Sequence, residues 1–170
     1  MSGRKHLALF IRSLGADGAG AERVWLNLAA EFAARGHRVD LVLGRRTGYL
    51  ADAVPAQVRV VDLAVRSRWP LLGALLRDPV AAGSLAPALV SLPPPWILAA
   101  VPALADYLVR ERPDALLSAL SYSNLAALWA RERAGVAVRV VISERNTLSV
   151  RSAHPLFRDW TTTIFWCRAG

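Results

Sequence analysis

The chain has 170 residues, 54% of them apolar and 20% charged, which suits one domain with a sizeable core and excludes a disordered polypeptide. Twenty-one Lys and Arg against 13 Asp and Glu give a formal charge of +8, which favours anionic partners such as phosphates or acidic lipid head groups. Cys167 is the only cysteine, so no internal disulfide can form; no Cys/His spacing fits a zinc site, and a reducing cytosol suits the chain.

In chain order, Lys5 to Ile11 reads as a short buried strand, and its apolar run from Leu7 to Ile11 is too brief for a signal peptide. A glycine-rich loop, Ser13 to Gly20, follows it. Ala21, Val24, Trp25, Leu28 and Phe32 then recur at helical spacing, and Gly36 supplies a stop. Arg38 to Leu43, rich in Val and Leu between Gly36 and Gly44, has the pattern of a second parallel strand, which completes a βαβ unit. Val58 to Leu63, Asp114 to Ser118 and Val138 to Ser143 give three more strands, and Asn124 to Ala134 a helix closed by Gly135.

The stretch from Pro79 to Ala105 carries no charge and is long enough to span a bilayer, but Pro87, Pro93, Pro94, Pro95 and Pro102 interrupt it and argue against one transmembrane helix. It reads either as a buried helical pair or as a segment that dips into an anionic membrane surface. Leu156, Trp160 and Ile164 share helical spacing in a tail that is otherwise aromatic and threonine-rich, from Trp160 to Cys167.

The alternation of strands and helices predicts an α/β domain, a Rossmann-like doubly wound parallel sheet, whose ligands bind beyond the carboxyl ends of the strands. The loops at that end are Ser13 to Glu22, Gly44 to Tyr49, Leu120 to Asn124 and Glu144 to Ser149. Glycines in the first loop let backbone N–H groups approach a phosphate at a helix N-terminus, or they simply make a tight turn. The loop is not a dinucleotide fingerprint, because Arg23 stands where Gly or Ala is required after Gly18 and Gly20. No acid closes the second strand for a ribose, which disfavours NAD, while Arg45 and Arg46 leave an NADP-binding domain as an alternative.

An ordered series of short motifs narrows the reading. Ser13-Leu14-Gly15, Gly20-Ala21-Glu22-Arg23-Val24, Asn27-Leu28-Ala29 and Arg35-Gly36-His37-Arg38-Val39 come first. They are followed by Arg112-Pro113-Asp114, Ser118, Asn124-Leu125-Ala126-Ala127-Leu128, Gly135-Val136 and Ser143-Glu144-Arg145-Asn146. From about Lys5 to Leu148 this series resembles the N-terminal domain of the retaining GT-B glycosyltransferases of family 4.

The resemblance implies that residues 1–150 form the acceptor-binding half of a GT-B fold. The donor would be a nucleotide sugar bound mainly by a C-terminal domain that this chain lacks, with residues 151–170 a divergent tail. It places Gly18, Gly20, Ala21 and Glu22 against the donor diphosphate and the acceptor. Glu144, Arg145 and Asn146 would hold acceptor hydroxyl or phosphate groups, with Ser121 and Asn124 beside them. The partners so implied are a glycan or lipid-linked sugar, an anionic membrane surface and a separate donor-binding domain, with the chain on the inner face of the plasma membrane.

No metal or resident cofactor is implied, and the isolated chain is expected to transfer nothing. The histidine that many relatives carry after the fourth strand is missing from Ser118-Ala119-Leu120-Ser121-Tyr122-Ser123-Asn124. His37 and His154 are poorly placed as bases, so no catalytic residue is assigned. The alternative to a transferase half is a nonenzymatic module that binds the acceptor or a membrane. Basic residues are scattered along the chain without interleaved aromatics, which speaks against nucleic acid.

Overall fold

The structure, a computed structural model, describes residues 3–15, 20–65, 73 and 96–144. Its elements in chain order are β1 (His6–Ile11), α1 (Gly20–Ala34), β2 (Arg38–Leu43), β3 (Arg59–Asp62), α2 (Val101–Glu111), β4 (Ala115–Ala119), α3 (Ser121–Ala134) and β5 (Arg139–Ser143). The strands lie in the order β3-β2-β1-β4-β5, and every pairing is parallel. The chain steps outward from β1 through β2 and β3, then returns to the other side of β1 for β4 and β5. Strand order therefore reverses between β1 and β4, which opens a crevice at their carboxyl ends.

Side-chain alternation along each strand feeds two cores. On one face Leu9, Ile11, Leu41 and Leu43 pack with Trp25, Leu26 and Ala29 of α1. On the other, Ala8, Phe10, Val42 and Leu116 meet Leu104 and Leu108 of α2 and Ala126, Ala127 and Trp129 of α3. Each fully buried Leu or Phe contributes about 1.5–3 kcal/mol, so the central strands are the most strongly held part of the sheet.

The five strands and α1 lie within a residue or two of their expected positions. α3 begins at Ser121, one turn before the expected Asn124. The helix α2 overlaps the expected buried helical pair from Val101 to Ala105 and continues beyond that apolar stretch to Glu111. Pro102 sits in its first turn, where an N–H is not needed, and Arg112 in the left-handed region ends it, its N–H donating to the Leu108 carbonyl. A 3-10 turn, Trp96–Ala100, leads into α2, and Ile97, Leu98, Ala99 and Ala100 are buried with it. This end of the apolar stretch is therefore core, as the buried helical reading holds, while residues 79–95 lie outside the described residues. No helix among the described residues is long and apolar enough to cross a membrane.

At the amino ends of the strands a set of charges far apart in sequence closes on one buried carboxylate. Asp40 is wholly buried on β2 and accepts from Arg59 Nε at 3.1 Å and Nη2 at 2.8 Å, and from the Tyr107 hydroxyl at 2.7 Å. His6 Nε2 lies 2.9 Å from the same carboxylate. Glu111, at the end of α2, pairs with Arg38 at 2.6 Å and Arg59 at 2.9 Å. The hydrogen bond from Arg59, reinforced by Arg38, holds the Glu111 carboxyl down to about 2. Burial, together with donation to Asp40, pushes the Tyr107 phenol well above its ordinary range. The cluster ties α2 to β1, β2 and β3, and a buried carboxylate so thoroughly paired leaves no open position for a ligand.

Candidate functional site at the carboxyl ends of the strands

At the opposite end of the sheet the chain turns out of β1 through Ser13, Leu14 and Gly15 and re-enters structure at Gly20, the start of α1. The Ser13 side chain is buried, and its hydroxyl meets no hydrogen-bond partner among the described residues. α1 then turns an acid inward. Its buried stripe runs Glu22, Trp25, Leu26 and Ala29, whereas the periodicity put Val24 and Leu28, both half-buried, at its centre. Glu22 thus heads an otherwise apolar face at only 5% exposure. Gly20 and Ala21 lie beside it in the first turn, where helical N–H groups lack intrahelical acceptors and favour negative charge.

The second part of the site is the junction between β4 and α3. Leu120 adopts φ 74° and ψ 138°, a conformation that costs a leucine on the order of 1–3 kcal/mol. Four hydrogen bonds hold it and its surroundings in place. Its N–H donates to the Ser143 carbonyl at 3.2 Å, and its carbonyl accepts from the Asn124 N–H at 2.9 Å. Ser118, buried at the end of β4, donates to Asn124 Oδ1 at 2.7 Å, while Asn124 Nδ2 donates to the Ser143 carbonyl at 3.1 Å. Asn124 is itself buried, so both ends of its amide brace β4, β5 and α3 together. The result of this strained turn is that α3 starts at the sheet rim with Ser121 as its first residue. Ser121 Oγ donates to Glu144 Oε2 at 3.0 Å, which brings two of the expected site residues, 23 positions apart, into one hydrogen bond.

The third part is the loop after β2, which is stitched to the turn after β1. Gly44 and Arg45 donate to the carbonyls of Ile11 and Arg12, both at 3.1 Å, and Leu14 donates to the Thr47 carbonyl at 2.9 Å. Gly44 has no room for a side chain, since a Cβ would fall 2.7 Å from Ile97 Cδ1 and 3.0 Å from the Arg12 oxygen. Arg45 turns inward: its Nε donates to the Val65 carbonyl, and its guanidinium lies 4.5 Å over the Trp96 ring, a cation–π contact. The backbone N–H of Arg46 donates to Asp62 Oδ1 at 3.2 Å.

Of the expected site residues, Gly20, Ala21 and Glu22 open α1, while Ser121, Asn124 and Glu144 meet across β4 and β5; Gly18, Arg145 and Asn146 lie outside the described residues. Ser13 and Leu120 were not among the candidates. A serine directly after a buried strand gives a weak sequence signal for the first, and a positive-φ leucine gives none. Among the described residues no group of three or more His, Cys, Asp or Glu could hold a metal ion.

Residues 19–169 match the family model of the glycosyl transferase 4-like domain. The match continues past Leu148, where the motif series ends. No curated protein matches the chain. Among solved structures it is similar to CalG4, the calicheamicin glycosyltransferase, with TM-score 0.51 and 20% identity over 92% of this chain and 37% of that one. It is also similar to SnogD, a glycosyltransferase from Streptomyces nogalater, with TM-score 0.44 and 20% identity over 89% of this chain and 49% of that one, a score too low to carry an argument. The first likeness identifies the sheet as Rossmann-like in the manner of GT-B glycosyltransferases. The chain spans less than half the length of either protein.

Proposed function

The chain belongs to the glycosyl transferase 4-like domain family, and from that premise we propose that it is the N-terminal, acceptor-binding half of an enzyme that moves a sugar from a nucleotide sugar to a glycan or a lipid-linked acceptor. The observation that carries the reading is the contrast in pairing at the carboxyl rim. The Ser13 hydroxyl is buried there without a hydrogen-bond partner among the described residues, and Glu22 is buried in the first turn of α1. A hydroxyl held in that state recovers its lost hydrogen bond when a hydroxylated ligand arrives.

In this reading Glu22 accepts a hydrogen bond from an acceptor hydroxyl, and Ser121 with Glu144 fixes the orientation of the sugar across the switch point. The N-terminal turns of α1 and α3 direct N–H groups at a phosphate, whether the leaving diphosphate of the donor or the pyrophosphate of a lipid carrier. The nucleotide sugar is held mainly by a second domain, and transfer takes place where the two meet. Asn124 acts indirectly, by holding the strained Leu120 turn that sets the start of α3.

Calorimetric titration of the purified chain with a panel of nucleotide sugars and a short prenyl-diphosphate sugar tests this division of labour. Binding of the prenyl-diphosphate sugar without binding of any nucleotide sugar is the expected outcome. Tight nucleotide-sugar binding with no acceptor binding would place the donor site in this domain and overturn the assignment.

A further inference from the structure

Tyr49 is the most exposed large hydrophobic side chain among the described residues, at 64%, yet it stands on some of the most constrained backbone in the molecule. Gly48, immediately before it, has φ +107°, and a Cβ there would overlap the Leu14 carbonyl oxygen. Gly15, at φ +93°, lies directly against the tyrosine ring, where a Cβ would meet Cε1 at 2.7 Å and Cδ1 at 2.8 Å. The loop is further pinned to the β1 turn by the Leu14 to Thr47 and Leu50 to Leu14 backbone hydrogen bonds, at 2.9 and 3.4 Å. Two positive-φ glycines with no space for a side chain thus seat one side of an aromatic ring and leave the rest to solvent, at the rim that carries Ser13.

Burial gives no reason to seat a ring on so constrained a backbone and leave it 64% exposed. A pyranose supplies one, because its C–H face is apolar and polarised toward the electron-rich face of an aromatic ring, while its hydroxyls reach outward to polar neighbours. We propose that Tyr49 is a stacking platform for one pyranose ring of the acceptor and so a specificity-determining residue. The assignment rests on the acceptor-binding reading above and names the part of the ligand that meets this loop, a saccharide ring and not the hydrocarbon chain of a lipid carrier.

The chain has three tyrosines, of which Tyr107 is fully buried and Tyr122 half-buried, so 3-fluorotyrosine labelling of the whole chain gives a 19F spectrum with an internal control. The Tyr49 resonance, assigned by its loss in Tyr49→Phe, is followed during titration with methyl hexopyranosides, an N-acetylglucosamine disaccharide and, separately, geranyl phosphate; calorimetry runs in parallel. The platform requires a saturable shift of Tyr49 with a saccharide and none at Tyr107. Tyr49→Phe should keep the saccharide affinity within about twofold, while Tyr49→Ala and Tyr49→Leu should each lower it about tenfold without changing the melting temperature. Saccharide heat with a silent Tyr49 resonance would overturn the platform and leave the acceptor-binding reading standing. A response to geranyl phosphate alone would overturn it in favour of the lipid chain, and no heat with any saccharide would overturn both.

Discussion

The two ends of one parallel sheet are built to opposite specifications. At the amino ends, Asp40 is wholly buried and gathers Arg59, Tyr107 and His6, while Glu111 takes Arg38 and the same Arg59, so the charges of β1, β2, β3 and α2 neutralise one another. At the carboxyl ends, the Ser13 hydroxyl is buried without a partner among the described residues, Glu22 is turned inward, and a leucine is held at φ 74° to start a helix at the rim. Burying an unpaired polar group and straining a turn both cost stability. The amino end offsets that cost with paired charge, and both cores add apolar contact. Under the proposed function the charge cluster at the amino ends holds the fold, while the carboxyl ends, braced by Ser118, Asn124 and Ser121, present the binding groups.

The largest expected effect breaks the paired end. Asp40→Ala leaves Arg59, His6 and Tyr107 without their shared acceptor and should cost about 3–5 kcal/mol in urea denaturation; a loss below about 1 kcal/mol would mean that the cluster is no more than a surface ion pair. Next is the brace at the opposite end, where Asn124→Ala should cost about 1–3 kcal/mol, because it strips partners from the Ser118 hydroxyl and the Ser143 carbonyl. If the variant melts like the parent, Asn124 does not hold the Leu120 turn.

A smaller effect is the pH dependence of the paired end. The folded carboxyl of Glu111 is held at about 2, below its ordinary 4.5, so its contribution to stability is complete above 4.5 and is lost as the pH falls toward 2. Melting temperatures across that acid window should fall less steeply in Glu111→Gln than in the parent, and identical slopes would remove Glu111 from the account. Smallest of all is Glu22→Gln, expected to change stability by no more than about 0.5–1 kcal/mol, the worth of an acid in the first turn of a helix.

Most of the frame was legible in the sequence, because buried parallel strands are continuous apolar runs and α1 has a strong helical period. The bounds of α2 were not, since an uncharged stretch broken by prolines hides where a helix begins; Pro102 in the first turn and Arg112-Pro113 after the last were the available punctuation. The Asp40 cluster was also illegible. His6, Arg38, Arg59, Tyr107 and Glu111 come together only through the strand order, and the one local hint was an aspartate inside a Val/Leu strand. At the site, the pairing of Ser121 with Glu144 follows once β4 and β5 are neighbours, but the inward turn of Glu22 depends on a helix rotation that apolar spacing fixed to within only about one residue.

The contrast between the ends is tested most directly by measuring binding and stability together in Glu22→Gln and Glu111→Gln, with the short prenyl-diphosphate sugar as the ligand for calorimetry. Glu22→Gln should bind at least about tenfold more weakly at nearly unchanged melting temperature, since a hydrogen bond to a charged group is worth about 1.5–3 kcal/mol. Glu111→Gln should bind as the parent does and melt earlier. Parental affinity in Glu22→Gln together with lost affinity in a folded Glu111→Gln would contradict the assignment of binding to the carboxyl ends of the strands.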